Sequence, residues 1–160
     1  MRIGVLSDTH MVSGKKLPSQ VWETLSGVDL ILHAGDLTSA DFLADLMLLA
    51  PVRAVKGNCD GPEILLPERD IVSCDGINIG LIHGHGGLRG NTPERAYRAF
   101  AGENVQIVVF GHSHSPYLNE EDGVLLFNPG SPTAKRREPQ YSFGLLEING
   151  GELKARHYYF

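Results

Sequence analysis

Cysteine is scarce in this chain, with Cys59 and Cys74 the only two among 160 residues. Their number and spacing make no disulfide framework, and no Cys-x-x-Cys occurs. Neither a stapled secreted fold nor a thiolate-bound structural zinc is expected. Positive charge is also in deficit. Fourteen Lys and Arg face nineteen Asp and Glu, a formal net charge of −5. That balance lacks the basic face that general nucleic-acid binding needs. A small phosphate substrate stays compatible with it, because bound divalent cations would supply local positive charge. No apolar run approaches the ~18 residues of a membrane-spanning helix. The opening run, Ile3–Leu6, breaks into Ser7-Asp8 too soon for a signal peptide. The expected setting is therefore the cytoplasm. Familiar phosphate and nucleophile motifs are missing as well. There is no Gly-Lys-Ser/Thr phosphate loop, Arg89 stands where a dinucleotide fingerprint after Gly84 needs its last glycine, and Ser113 lacks a Gly-x-Ser-x-Gly context.

Nineteen glycines and nine prolines are present, most of them between apolar runs, where turns are needed. Ile3–Leu6, Leu30–Leu32 and Val52–Val55 read as strands. A helix is expected over Pro18–Ser26. Another, capped by Ser39, should run to Ala50 with Phe42, Leu43, Leu46, Met47 and Leu49 at helical spacing. Between them, residues 11–17 read as a polar loop with Gly14, Lys15 and Lys16. Strand-helix-strand-helix-strand implies a parallel sheet, with ligands gathered beyond the carboxyl ends of its strands. Residues 60–70 read as an irregular connection. Ile71–Ser73 and Ile77–Ile82 flank Asp75-Gly76, a hairpin signal. A glycine-rich loop over 84–90, a third helix from Thr92-Pro93 to Phe100 and a buried strand Ile107–Phe110 follow. The tail, with turns at Asp122-Gly123 and Asn149–Gly151, is antiparallel in style. The expectation is one domain over residues 1–160, with two packed sheets and helices outside.

Histidines and carboxylates collect at the ends of these strands. Gly111-His112-Ser113-His114 follows the Ile107 strand. Asp8 and His10 follow the first strand, Asp36 the second, Asn58 the third, and His83 the run Ile77–Ile82. Singly, each has a bland reading as a cap, a turn residue or a solvent-facing side chain. Together, two carboxylates, an amide and four imidazoles make a donor set that suits Mn, Fe, Zn, Ni or Co. Seven ligands are too many for one catalytic ion with open positions, and fit two ions sharing a carboxylate. Two ions ~3.5–4 Å apart can clamp both oxygens of an in-line phosphoryl displacement.

Asp8-Thr9-His10, Gly35-Asp36, Gly57-Asn58, His83-Gly84 and Gly111-His112-Ser113-His114, in that order, resemble the calcineurin-like metallophosphoesterase superfamily. Gly57-Asn58-Cys59-Asp60, Asn128-Pro129-Gly130-Ser131 and the short chain are similar to its small YfcE-type phosphodiesterases. The resemblance implies a four-layer α/β/β/α sandwich of two mixed sheets, with the site at the sheet edges. It implies one ion on Asp8, His10 and His114, a second on Asn58, His83 and His112, and Asp36 bridging them. The implied activity is hydrolysis of small phosphodiesters by a hydroxide between two divalent ions, Mn first among them. Asp36, Asn58 and His85 are the candidate catalytic residues, with His85 either contacting a phosphate oxygen or donating a proton. Rival readings are a phosphomonoesterase, and a non-catalytic interaction module similar to the small retromer subunit of eukaryotes. A homo-oligomer is compatible with either.

Cys59 departs from the wider superfamily, many members of which place a histidine there to assist the leaving group. A thiol of unperturbed pKa ~8.5 is a poor substitute, so diesters with good leaving groups are the expected substrates. His33 and His157 read as structural. Lys135-Arg136-Arg137 is the one basic cluster, read as a solvated loop with a phosphate-attracting rim as the alternative.

Overall fold

The computed structural model describes residues 1–12, 15–87 and 89–160. Gly14, in the expected polar loop, and Leu88, in the glycine-rich one, lie outside the described residues. Two five-stranded sheets form the frame. The first contains β1 (Arg2–Leu6), β2 (Leu30–His33), β3 (Val52–Ala54), β9 (Ser142–Asn149) and β10 (Glu152–Tyr159), in the order β10-β9-β1-β2-β3. The second contains β4 (Arg69–Cys74), β5 (Ile77–Ile82), β6 (Ile107–Val109), β7 (Tyr117–Glu121) and β8 (Val124–Asn128), in the order β4-β5-β6-β8-β7. α1 (Ser19–Leu25) and α2 (Ala40–Met47) cover the outer face of the first sheet, and α3 (Thr92–Arg98) that of the second.

Strand alternation produces the layers. Ile3, Val5 and Leu32 point inward to meet Ile79, Leu81, Ile107, Val109 and Phe127 between the sheets. Leu6 and Ile31 point outward under Val21, Leu25, Phe42 and Leu46. Val108, Phe110 and Leu126 do the same under Ala96 and Phe100. Each large apolar side chain buried in this way contributes roughly 1.5–3 kcal/mol. The expected four-layer α/β/β/α sandwich is the observed one.

Local signals act where the sequence places them. The Ser39 hydroxyl accepts the Phe42 amide at 3.2 Å and caps α2. α3 starts at Thr92, where the Thr92-Pro93 signal puts it, with Asn91 as cap and Glu94 completing a capping box. Asp75 and Gly76 both adopt positive φ, the turn that hairpin β4–β5 requires. Two expectations shift. Arg69 and Asp70 are not irregular but open β4, paired with Ile82 and Leu81. The antiparallel reading of the tail holds for β7–β8 and β9–β10, but β8 itself runs parallel to β6. Its apolar run, Val124–Phe127, suits the place between two neighbours.

Parallel register fixes where the loops emerge. Leu6 lies beside His33 and His33 beside Ala54, while Leu81 lies beside Val109. The segments after β1, β2, β3, β5 and β6 therefore leave from one edge of the paired sheets, and their donor-type residues meet there.

Candidate metal centre

The seven donor-type residues fall into two groups that share one oxygen. In the first, Asp8, His10 and His114 bring ligand atoms within 4.8 Å of one another. His10 Nε2 and His114 Nε2 are 3.3 Å apart, and His114 Nε2 is 3.3 Å from Asp8 Oδ1. In the second, Asn58 Oδ1 lies 3.1 Å from both His83 Nε2 and His112 Nδ1. Asp36 stands between them. Its Oδ2 is 3.6 Å from His10 Nε2 on one side and 3.4 Å from His83 Nε2 on the other.

The backbone is bent to achieve this. Asp8, His10, Asp36, His112 and His114 all have φ between 42° and 68°. Non-glycine residues seldom occupy this left-handed region, and its cost is tolerated where surrounding structure enforces it. Glycines admit the close approaches. A side chain on Gly111 would strike Ser7 Oγ and Asp8 Oδ2, and one on Gly57 would strike the Asp36 carboxylate.

Backbone bonds orient these donor atoms. The Ala34 carbonyl accepts from His83 Nδ1 at 2.7 Å, and the Ala134 carbonyl accepts from His114 Nδ1, so each ring turns Nε2 to the centre. Asp8 Oδ2 accepts from Ser7 Oγ at 2.7 Å and from the His112 amide at 2.9 Å, while the buried Asp8 Oδ1 has no hydrogen-bond partner. An unpartnered carboxylate oxygen, neutral imidazoles and a central second carboxylate fit a divalent cation well.

The electrostatics agree. Burial lowers the proton affinity of His10 and His112, and brings His114 down to about 4. These rings are neutral, with lone pairs free to ligate. Burial raises Asp8 to about 6, against the pull of His83. Burial would raise Asp36 too, but hydrogen bonding and charge from His83 and the Cys59 amide hold it well below the usual carboxylate range. Burial works against charge on His83, yet Asp36 and Asp8 raise its affinity for a proton, the mark of a spot that attracts positive charge.

Other singled-out residues have separate places. His33 is fully buried behind the centre, its Nε2 3.0 Å from Thr9 Oγ1 and its Nδ1 accepting the Gly35 amide. His157 donates from Nε2 to the Asn128 carbonyl at 2.7 Å. The His85 ring lies 5.3 Å from that of His83 and 6.3 Å from that of His112, beside the second group. Cys59 reaches the first group, with a donor set formed by His10, Asp36 and Cys59. Burial and then the Asp36 carboxylate push its thiol pKa up, so it stays protonated at neutral pH.

Two segments named above for their resemblance have a supporting role that the sequence reading did not assign. Asp60 carries three backbone amides on one carboxylate: those of Asp36 at 3.0 Å, Gly57 at 2.7 Å and Thr38 at 2.7 Å. It ties the Asp36 loop to the Asn58 loop. Its place three residues after Gly57, from which a carboxylate can reach back to the first amide of a turn, was the available signal. The strap over 128–134 does similar work. Asn128 Nδ2 donates to the Gly111 carbonyl, and Ser131 Oγ and Thr133 Oγ1 donate to the Asp8 and Thr9 carbonyls. Replacing Asp60 with Ala strands three amides, each costing of the order of 1 kcal/mol or more. Asp60→Ala is expected to lose about 2–3 kcal/mol in urea unfolding with chelator present. Wild-type stability in that variant would show that the clamp is idle.

Comparison with known proteins follows the same lines. Residues 1–151 match the family described as the calcineurin-like phosphoesterase superfamily domain. A Methanothermobacter thermautotrophicus protein named "Probable metallophosphoesterase" is 40% identical over 157 residues, covering 97% of this chain and 90% of its own. A Methanocaldococcus jannaschii protein named a phosphodiesterase is 28% identical over 145 residues, covering 81% of this chain and 83% of its own. Among solved structures, a singly substituted Vps29 from Entamoeba histolytica superposes with a TM-score of 0.82 at 27% identity, covering 100% of this chain and 99% of that one.

Proposed function

The chain belongs to the calcineurin-like phosphoesterase superfamily, and from that premise we propose that it is a metal-dependent phosphodiesterase acting on small phosphodiesters. One observation carries the reading: the two donor groups share Asp36 Oδ2, 3.6 Å from His10 and 3.4 Å from His83. Asp8, His10 and His114 would hold one divalent ion and Asn58, His83 and His112 another, with Asp36 between them. Mn suits the oxygen and imidazole set first, with Fe, Zn, Ni or Co also matched. Two such ions supply an acidified water and take up charge developing on phosphoryl oxygens.

The chain's own groups complete the site. Asn58 turns Oδ1 to the imidazoles, while its Nδ2, on an exposed residue, donates one hydrogen to Cys59 Sγ at 3.3 Å and has the other for a phosphoryl oxygen. His85, beside His83 and His112, is placed to contact the phosphate or give a proton. Cys59, a protonated thiol of high pKa, gives the leaving group little help, which favours diesters whose leaving group departs unaided. The two cysteines are free, in keeping with a reducing cytoplasm.

A second reading has its own support. The chain shares its fold with Vps29. A panel of aryl diesters and monoesters with added Mn, Co, Ni or Zn separates the alternatives. Faster turnover of diesters is the expected result. Faster turnover of monoesters makes the chain a phosphomonoesterase, and no turnover with any metal makes it an interaction module.

A further inference from the structure

The basic cluster Lys135-Arg136-Arg137 is left unused by the metal donors. It lines a polar cavity of about 400 Å³ together with Ser113, Ser115 and Glu138. Ser113 sits between His112 and His114, so this cavity and the metal centre share the Gly111–His114 loop as a wall. The Ala134 carbonyl, just before the cluster, accepts from His114 Nδ1 and ties the two together.

Several of the other arginines pair with carboxylates. Arg53, Arg69, Arg98 and Arg156 each have one. Among the described residues no ion pair joins Arg136 or Arg137 to a carboxylate. Glu138, the one acid on the cavity, is engaged elsewhere: its Oε1 accepts from Ser115 Oγ at 2.6 Å, and its carbonyl accepts from Lys135 Nζ at 2.8 Å. Arg136 also holds a strained backbone, with φ at 50°.

Three cations against one carboxylate leave two positive charges on the cavity. A terminal phosphate carries about −1.5 to −2 at neutral pH. Guanidinium forks match its oxygens in charge and geometry.

We propose that the substrate is a small phosphodiester bearing a second, terminal phosphate, which Arg136 and Arg137 hold in this cavity while the diester lies at the metal centre. The assignment rests on the phosphodiesterase reading and names its substrate class.

The test compares thymidine 5′-(p-nitrophenyl phosphate) with the same ester carrying a 3′-phosphate, both with Mn. The variant is Arg136→Asn with Arg137→Gln, because asparagine tolerates positive φ. Circular dichroism and metal content confirm its fold and centre. In the wild type the 3′-phosphate is expected to raise kcat/KM about tenfold, mainly through KM, as exposed charge-assisted hydrogen bonds allow. The gain should shrink at ~0.5 M salt, where exposed charges are screened. In the variant the preference should fall to about twofold or less, the loss expected when both guanidiniums go. Equal kcat/KM for the two esters in the wild type overturns the inference, as does a preference the variant retains. If neither thymidine ester turns over but bis(p-nitrophenyl) phosphate does, the inference fails alone. If no diester turns over with any metal, the phosphodiesterase reading fails and takes the inference with it.

Discussion

Asp36→Asn is expected to strip metal from both halves of the centre and to lower kcat/KM on an aryl diester by about 10³, the upper range for losing one preorganised electrostatic group. The reason is the position of one oxygen. Asp36 Oδ2 faces His10 in one group and His83 in the other, so on the proposed two-ion reading one lost charge would weaken two binding sites. The fold should survive. Asparagine keeps an Oδ1 to accept the Cys59 amide, now at 2.8 Å, and the Asp36 amide remains bound to Asp60. Metal analysis after gel filtration and diester kinetics with Mn in excess are read together. Two tightly held ions and full activity in the variant would remove Asp36 from the shared position. Loss of a single ion would place it in one group only.

Removing metal should destabilise the chain as strongly as it silences it. Ions that bind the folded state and not the unfolded one stabilise by about 4 kcal/mol per site at a thousandfold excess over Kd. For a chain of this length that is roughly 10 °C in Tm per site. The effect should depend on pH, chiefly through Asp8. Its folded pKa is raised from 3.8 to about 6 because burial disfavours the anion. Without metal, this group's contribution to stability is fullest below 3.8 and is lost as pH rises through about 6. A divalent ion needs the same anion, so the stabilisation by metal is fullest above about pH 6 and fades below it. Differential scanning calorimetry with Mn and with chelator, from pH 5 to 8, measures the difference directly. Equal Tm values at pH 8 would rule out tight sites.

The sequence by itself determined the strands, the helices and the residue types at the strand ends. Apolar runs of three to six residues, glycine and proline between them, and Ser39 or Asp75-Gly76 at the turns act over a few residues, and such signals can be read along a chain. Because β1, β2 and β3 are parallel, Asp8, Asp36 and Asn58 had to emerge from one edge, and that too followed from pattern. Tertiary structure decided the rest. His10 and His114, 104 positions apart in the chain, meet only because the second sheet packs face to face on the first. Nothing local in Val124–Phe127 shows that β8 runs parallel beside β6, since a buried run reads the same in either direction. Asp60 and the 128–134 strap act through hydrogen bonds to backbone amides and carbonyls, and such bonds leave no period in the sequence. Whether Lys135-Arg136-Arg137 is a solvated loop or the wall of a cavity depends on which carboxylates come near it. That is a property of the folded surface, set by long-range packing and not by neighbours in the chain.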